Sequence, residues 1–369
     1  MVLLATMSVA SGASHTVTTA VDNINAGDGV LSLREATIAA AVDDVIVFDG
    51  AVFPSGTVTT IPMVLGTLDL LTNGVWLKAS GQIILDGSVA PGGASGIRIV
   101  GDEVRVTGLE IAGYPEYGIR VAAGVDAIVG GATADLGNLV RDNKRAGIRV
   151  GDDVAAIGQV LVRNNTVDGN CVSPTGFCGG IEVSGASFIN FVRIAENRVT
   201  YTAGDPALSQ GIGVLVTTGG GHVVEGNTVG DTVTDGNAGH GIVIQAPSGT
   251  VEADVEDNIV SGNGRNGILV GPRSQPCTVS GNLVGTDASG EAAVPNAGHG
   301  IAIFATDGHH ILDNVVSGNA GSGIRCRAAS TGTGSRTTCS TATTSEPTTT
   351  ATPPSRTRST ASTRAAAPA

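Results

Sequence analysis

The most regular feature of the chain is a recurring Gly-Ile followed by one variable residue and then, usually, an apolar one. The pairs begin at Gly96, Gly118, Gly147, Gly180, Gly211, Gly241, Gly267, Gly300 and Gly323, and neighbouring pairs lie 22 to 33 residues apart. A constant apolar core with variable spacing is what a solenoid tolerates, because each coil packs only on its neighbours and loops swell outward without disturbing the stack.

A second register runs through Asn138, Asn165, Asn197, Asn227, Asn258, Asn282 and Asn314, each followed by one residue and then Val. Asparagine tolerates a turn with positive φ, and its amide can bond the equivalent amide one coil away, so the spacing predicts a buried asparagine ladder. Each coil reads as a Gly-Ile strand, a connection, a second strand ending at the asparagine turn, a third strand, and a glycine-rich corner such as SGNGRNG. Three strands per coil make three parallel sheets. The predicted fold is all-β, a right-handed parallel β-helix over residues 15–326 with stacked Val and Ile inside. At the interstrand spacing of about 4.8 Å, roughly ten coils give a rod on the order of 50 Å long.

Upstream, DGVLSLREATIAA predicts a helix over about 32–41: Ser32 and Glu35 fit a capping box, and Leu33, Ala36, Ile38 and Ala39 can share one face. Such a helix would cover the open first coil and block end-to-end association of unpaired strands. Composition agrees with repeats rather than with helices around one centre: the 369 residues include 55 Gly, only 3% are aromatic and 14% charged.

The segment GDGVLSLREATIAA resembles the one that names CSLREA-domain proteins, with Leu31 where that motif has its cysteine. Downstream, GNLVGTDASGEAAVPNAGHGIAI and DNVVSGNAGSGI are similar to the repeats of right-handed parallel β-helix proteins of the pectate-lyase-like superfamily. The resemblance covers about residues 15–325 and implies a secreted or bacterial cell-surface β-helix. It leaves activity open, because such repeats occur in polysaccharide lyases, hydrolases, epimerases and adhesins alike.

Charge narrows the partners. Six basic residues and one acid, Glu346, lie from Arg325 onward, leaving 14 basic against 32 acidic groups before them. That balance argues against nucleic acid and anionic membranes as partners, and no run of about 18 apolar residues predicts a spanning helix. Residues 1–14 read as a truncated signal-like segment, with no Lys or Arg before Arg34. Cys171 and Cys178 bracket the loop CVSPTGFC and suit a disulfide in an oxidising compartment, the alternative being two small buried thiols; Cys277 has no local partner. From Arg327 to Ala369 the register gives way to Thr, Ser, Ala, Arg and Pro, which predicts an unstructured tail, either a linker or the product of a frameshift.

In the Gly-Ile strands the residue after each isoleucine points outward, so Arg98, Arg120, Arg149, Glu182, Gly213, Val243, Leu269 and Ala302 form a column. Three stacked arginines, followed by Glu182, suit the carboxylates of an acidic glycan through bidentate hydrogen bonds. The alternative is ordinary neutralisation by Asp102, Glu103, Asp152 and Asp153. No catalytic pair is identifiable; Glu116, Glu182 and Asp205 are isolated acids. Glu252, Asp254 and Glu256 alternate on one outer face and Asp287 sits in a loop, oxygens that calcium could use, but no calcium-loop motif is present. Adjacent His309 and His310 point to opposite faces, a poor geometry for one metal ion. The expected protein is a monomeric surface module contacting extracellular polysaccharide or another cell-surface component; a lyase or hydrolase on an acidic glycan, with its groove among the loops between Gly147 and Gly241, and a purely architectural rod are the alternatives.

Overall fold

The computed structural model describes residues 12–327, apart from 152–154, 174–175, 186–187, 208, 217–218 and 305–307, together with the short strand Ser340–Ala342. The nine Gly-Ile strands, with Leu68–Leu70 before them, form a ten-stranded parallel sheet ending at Ile324–Arg327. Its registers pair Ile119 with Ile148, Ile148 with Ile181 and Ile181 with Ile212, and this inward column continues through Ile242, Ile268 and Ile301 to Ile324. The column is fully buried through Ile301. Each such side chain contributes roughly 1.5–3 kcal/mol.

Two further parallel ladders complete the coil, one passing through Val162, Ile194 and Val224, the other through Val140, Val167 and Val199. At the first coils the two are continuous, because the long strands Trp76–Asp86 and Arg105–Ala112 bend around the corner between them, with a register shift between Lys78 and Ile83. One strand, Ser340–Ala342, lies within the segment whose composition predicts no regular structure, and pairs with His310–Leu312.

The Gly-Ile glycines from Gly96 to Gly300 mark close approaches between layers. A Cβ at Gly211 would lie 2.4 Å from Val229 Cγ1 and 2.6 Å from the Gly241 carbonyl oxygen. Space, rather than an unusual φ, therefore selects glycine there.

The asparagines make the ladder that their spacing predicts. Asn138 Nδ2 donates to Asn165 Oδ1, Asn165 to Asn197, Asn197 to Asn227 and so on to Asn314, with distances of 2.8–3.0 Å. A second ladder escapes the sequence reading. Asn143 donates to Asn170, and Asn237, Asn263, Asn296 and Asn319 continue the column, with Thr202 standing in between and donating to Asn237. Its signal was present: Asn143, Asn237, Asn263, Asn296 and Asn319 each stand four residues before a Gly-Ile glycine. Asn170 breaks the spacing because the Cys171–Cys178 loop is inserted between it and Gly180.

The helix spans Leu33–Ala39 with the capping box formed. Its buried face is not the one the periodicity suggests. Ile38 is 66% exposed, whereas Arg34 and Glu35 are buried with Leu33 and Ala36. Arg34 bonds both carboxylate oxygens of Asp22 (2.7 and 3.1 Å) and the carbonyls of Thr67 and Gly66, fastening the cap to the first coil through polar groups.

His222 is fully buried, its Nδ1 accepting the Val192 amide, and burial pushes its pKa down to about 4; burial does the same for His240. The unfolded imidazoles take up protons near pH 6.5 while the folded ones resist until about pH 4, so the unfolded state binds more protons in that interval. Stability is therefore full above pH 6.5 and should fall as the pH drops toward 4. Urea midpoints should decline between pH 7.5 and 5, less steeply in His222→Gln; identical pH profiles for the two proteins would contradict this assignment.

Candidate anion-binding cleft

The outward column exists as an uninterrupted register, with one addition at each end: Asp69 precedes Arg98, and Arg325 follows Ala302. Its members do not share one environment. Arg98, the register neighbour of Arg120, is paired with Asp69, Nε to Oδ1 at 2.8 Å and Nη2 to Oδ2 at 3.0 Å. Arg120 and Arg149 instead pack on Tyr117, where Arg145 joins them. The three guanidinium carbons stand 5.8, 5.0 and 5.7 Å from the ring centroid for Arg120, Arg149 and Arg145. Tyr117 Oη accepts from Arg145 Nη1 at 3.0 Å and from Arg149 Nη1.

Arginine repulsion is relieved by carboxylates within the cluster. Arg145 Nε lies 2.9 Å from Glu116 Oε2, and Glu182 follows Arg149 in the column. Asp102, expected to neutralise the column, instead accepts the Val125 amide at 2.9 Å and a bond from Asn73, serving a neighbouring turn. Glu103 occupies a turn with φ 55°, and Asp152 and Asp153 lie outside the described residues.

Glu182 is only 5% exposed. Burial raises its pKa above the ordinary carboxylate range, against the pull of Arg149, of a hydrogen bond from Ser184 Oγ, of the Gly179 amide and of Arg145. Cys171 and Cys178 are bridged, and the disulfide packs with Tyr117 and Ala146 in a small apolar cluster separate from the main core. The staple holds the loop so that Phe177 lies over the next strand, where Gly213 leaves room: a Cβ there would meet the Phe177 ring at 2.6 Å.

Tyr117, Arg145, Arg149, Gly176, Phe177, Cys178 and Glu182 together line a cleft of about 290 Å³. Of the four side chains singled out in the sequence, Arg149 and Glu182 line it, Arg120 stands on the Tyr117 ring, and Arg98 is paired with Asp69. Tyr117, Arg145 and Phe177 were missed; Tyr117 and Arg145 sit at the corners just before Gly118 and Gly147, and Phe177 in the insertion. The cleft can hold a carboxylate on two guanidinium groups and an apolar ring face against Phe177.

The other acids have local duties. Asp205 Oδ1 accepts the Ala207 amide, and Asp287 accepts from Ser289, Glu291 and Ala292, which lowers its pKa. Glu252, Asp254 and Glu256 do alternate outward, Asp254 accepting the Thr278 amide at 2.8 Å.

A family model described as "Right handed beta helix region" matches residues 68–229, and one described as "Periplasmic copper-binding protein (NosD)" matches residues 192–334. The chain is a right-handed parallel β-helix repeat protein. Both matched segments begin downstream of the segment that resembles the CSLREA domain. Two solved structures share the β-helix at low identity. A pectate lyase, Pel9A, is 15% identical with a TM-score of 0.51, the match covering 86% of this chain and 77% of that one. An alginate lyase from Paenibacillus sp. str. FPU-7 is 16% identical with a TM-score of 0.56, over 80% of this chain and 95% of that one. At such identity the likeness is one of fold. No curated protein sequence matches the chain.

The NosD description raises copper, and the side chains do not fit it. Among the described residues no three His, Cys, Asp or Glu side chains gather into a metal-holding group. In the matched segment, Cys277 is buried, its thiol pKa pushed up to about 11 by desolvation, and its Sγ bonds the Gln275 carbonyl; the nearby His309 Nδ1 already accepts the Cys277 amide. Nor, among the described residues, is any helix of the β-helix long and apolar enough to cross a membrane.

Proposed function

We propose that this β-helix is an exported, monomeric surface module that holds an acidic extracellular polysaccharide, with a uronate carboxylate seated on Arg145 and Arg149 and the sugar's apolar face on Phe177. The observation that carries this reading is the convergence of three guanidinium groups on Tyr117 beside a cleft, on a protein whose net charge is −13. The three guanidinium groups repel one another, and the two carboxylates beside them, Glu116 and Glu182, leave a positive charge that an arriving anion would offset. The fold shared with a pectate lyase and an alginate lyase supports a polysaccharide lying across the coils.

The purified protein should retain polygalacturonate or alginate oligomers and ignore neutral ones, in titrations with and without calcium. Charge-assisted bonds of this type contribute about 1.5–3 kcal/mol each, so Arg149→Ala should weaken binding on the order of tenfold to a hundredfold, and Arg98→Ala should leave it unchanged. Unsaturated products or new reducing ends would replace the binding reading with that of a polysaccharide lyase or hydrolase. Retention of no glycan would leave an architectural rod.

A further inference from the structure

Glu182 stands in the cleft as a carboxylate beside the guanidinium groups that an anionic ligand would use. It follows Arg149 in the column, lines the cleft with Arg145 and Arg149, and is held in place by Ser184 Oγ and the Gly179 amide. The charged and titratable groups facing it come from three places: Arg149 on its own strand's neighbour; Arg145, paired with Glu116, from the corner before that strand; and Tyr117 with Arg120 from the coil before. The following strand offers Gly213 at the same position, and the described loop residues Val172, Ser173, Gly176 and Phe177 bring no charge. Glu182 is thus placed in the same cleft as the cations that a ligand's carboxylate would use, within the electrostatic pull of Arg149 and Arg145.

We propose that Glu182 is an internal competitor: its carboxylate occupies Arg149 and Arg145 in the empty cleft, and an anionic ligand displaces it only as Glu182 takes up a proton. This proposal rests on the acidic-glycan reading above. Its physical basis is that two carboxylates brought side by side onto the same guanidinium face in a shielded site raise each other's pKa, so the arriving carboxylate, on the solvent side, keeps its charge and the buried Glu182 is neutralised. The proton comes from solvent, and the charge within the cleft is the same before and after binding. By linkage, affinity then rises as pH falls, with a slope of at most about one decade per pH unit.

The test is calorimetric titration of the wild-type protein with trigalacturonate between pH 8 and 6, repeated in buffers of different ionisation enthalpy so that proton uptake is read directly. The expected result is net uptake on binding by the wild type, none by Glu182→Gln, and affinity about tenfold higher for Glu182→Gln at pH 7.5. Wild-type binding without proton uptake overturns the competitor role and leaves the acidic-glycan reading standing; this arm needs no variant to fold. Binding by neither protein overturns the acidic-glycan reading and the competitor with it.

Discussion

Replacing Asn227 by alanine is expected to destabilise the protein by roughly 3–5 kcal/mol, because several buried polar groups lose partners at once and each costs about 1–3 kcal/mol. Asn227 Nδ2 donates to the Ile194 and Glu225 carbonyls and to Asn258 Oδ1, and its Oδ1 accepts both the amide and the side-chain Nδ2 of Asn197. The position is closed to bulk solvent, since Asn197, Asn227 and Asn258 are at most 1% exposed. The same substitution at Asn314, the partly exposed last member of the ladder, should cost about 1 kcal/mol, because solvent can replace the lost bonds. Denaturant midpoints of the two variants measure the difference. Equal effects would mean that the ladder is not a cooperative element.

Arg34→Ala should be comparably severe, at about 3–5 kcal/mol, for a different reason. Its partner Asp22 has a side chain only 1% exposed, so truncation strands a buried carboxylate with the Leu65 amide as its remaining hydrogen-bond donor, and removes the bonds to Thr67 and Gly66. The cap would then detach from the first coil. Because an exposed coil end presents unpaired strands, the variant should also associate in sizing or light-scattering measurements as its stability falls. An Arg34→Ala protein that melts with the wild type and stays dispersed would show that the apolar contacts of Leu33 and Ala36 suffice to seat the helix.

These two residues mark what was legible in the sequence. The first ladder could be read because Asn-x-Val recurs once per coil, and the apolar column because Gly-Ile does; in a stacked coil, a repeated residue type is a repeated environment. Arg34 was not legible, since helical periodicity treats a charged residue as solvent-facing and nothing local reveals that Asp22 and two carbonyls close over it. The cleft was half legible for a similar reason. Arg149 and Glu182 follow from strand alternation, whereas Tyr117, Arg145 and Phe177 come from corners and an insertion whose folding back depends on the Cys171–Cys178 staple and on the absence of a side chain at Gly213.

The most direct test of the account is a hydrogen-exchange footprint of the protein with and without trigalacturonate. Binding in the cleft predicts slowed amide exchange at residues 114–121, 145–150 and 176–184, and unchanged exchange around Arg98 and on the outer faces of the other two sheets. Protection confined to those other surfaces, or no protection in the presence of saturating oligosaccharide, would contradict it.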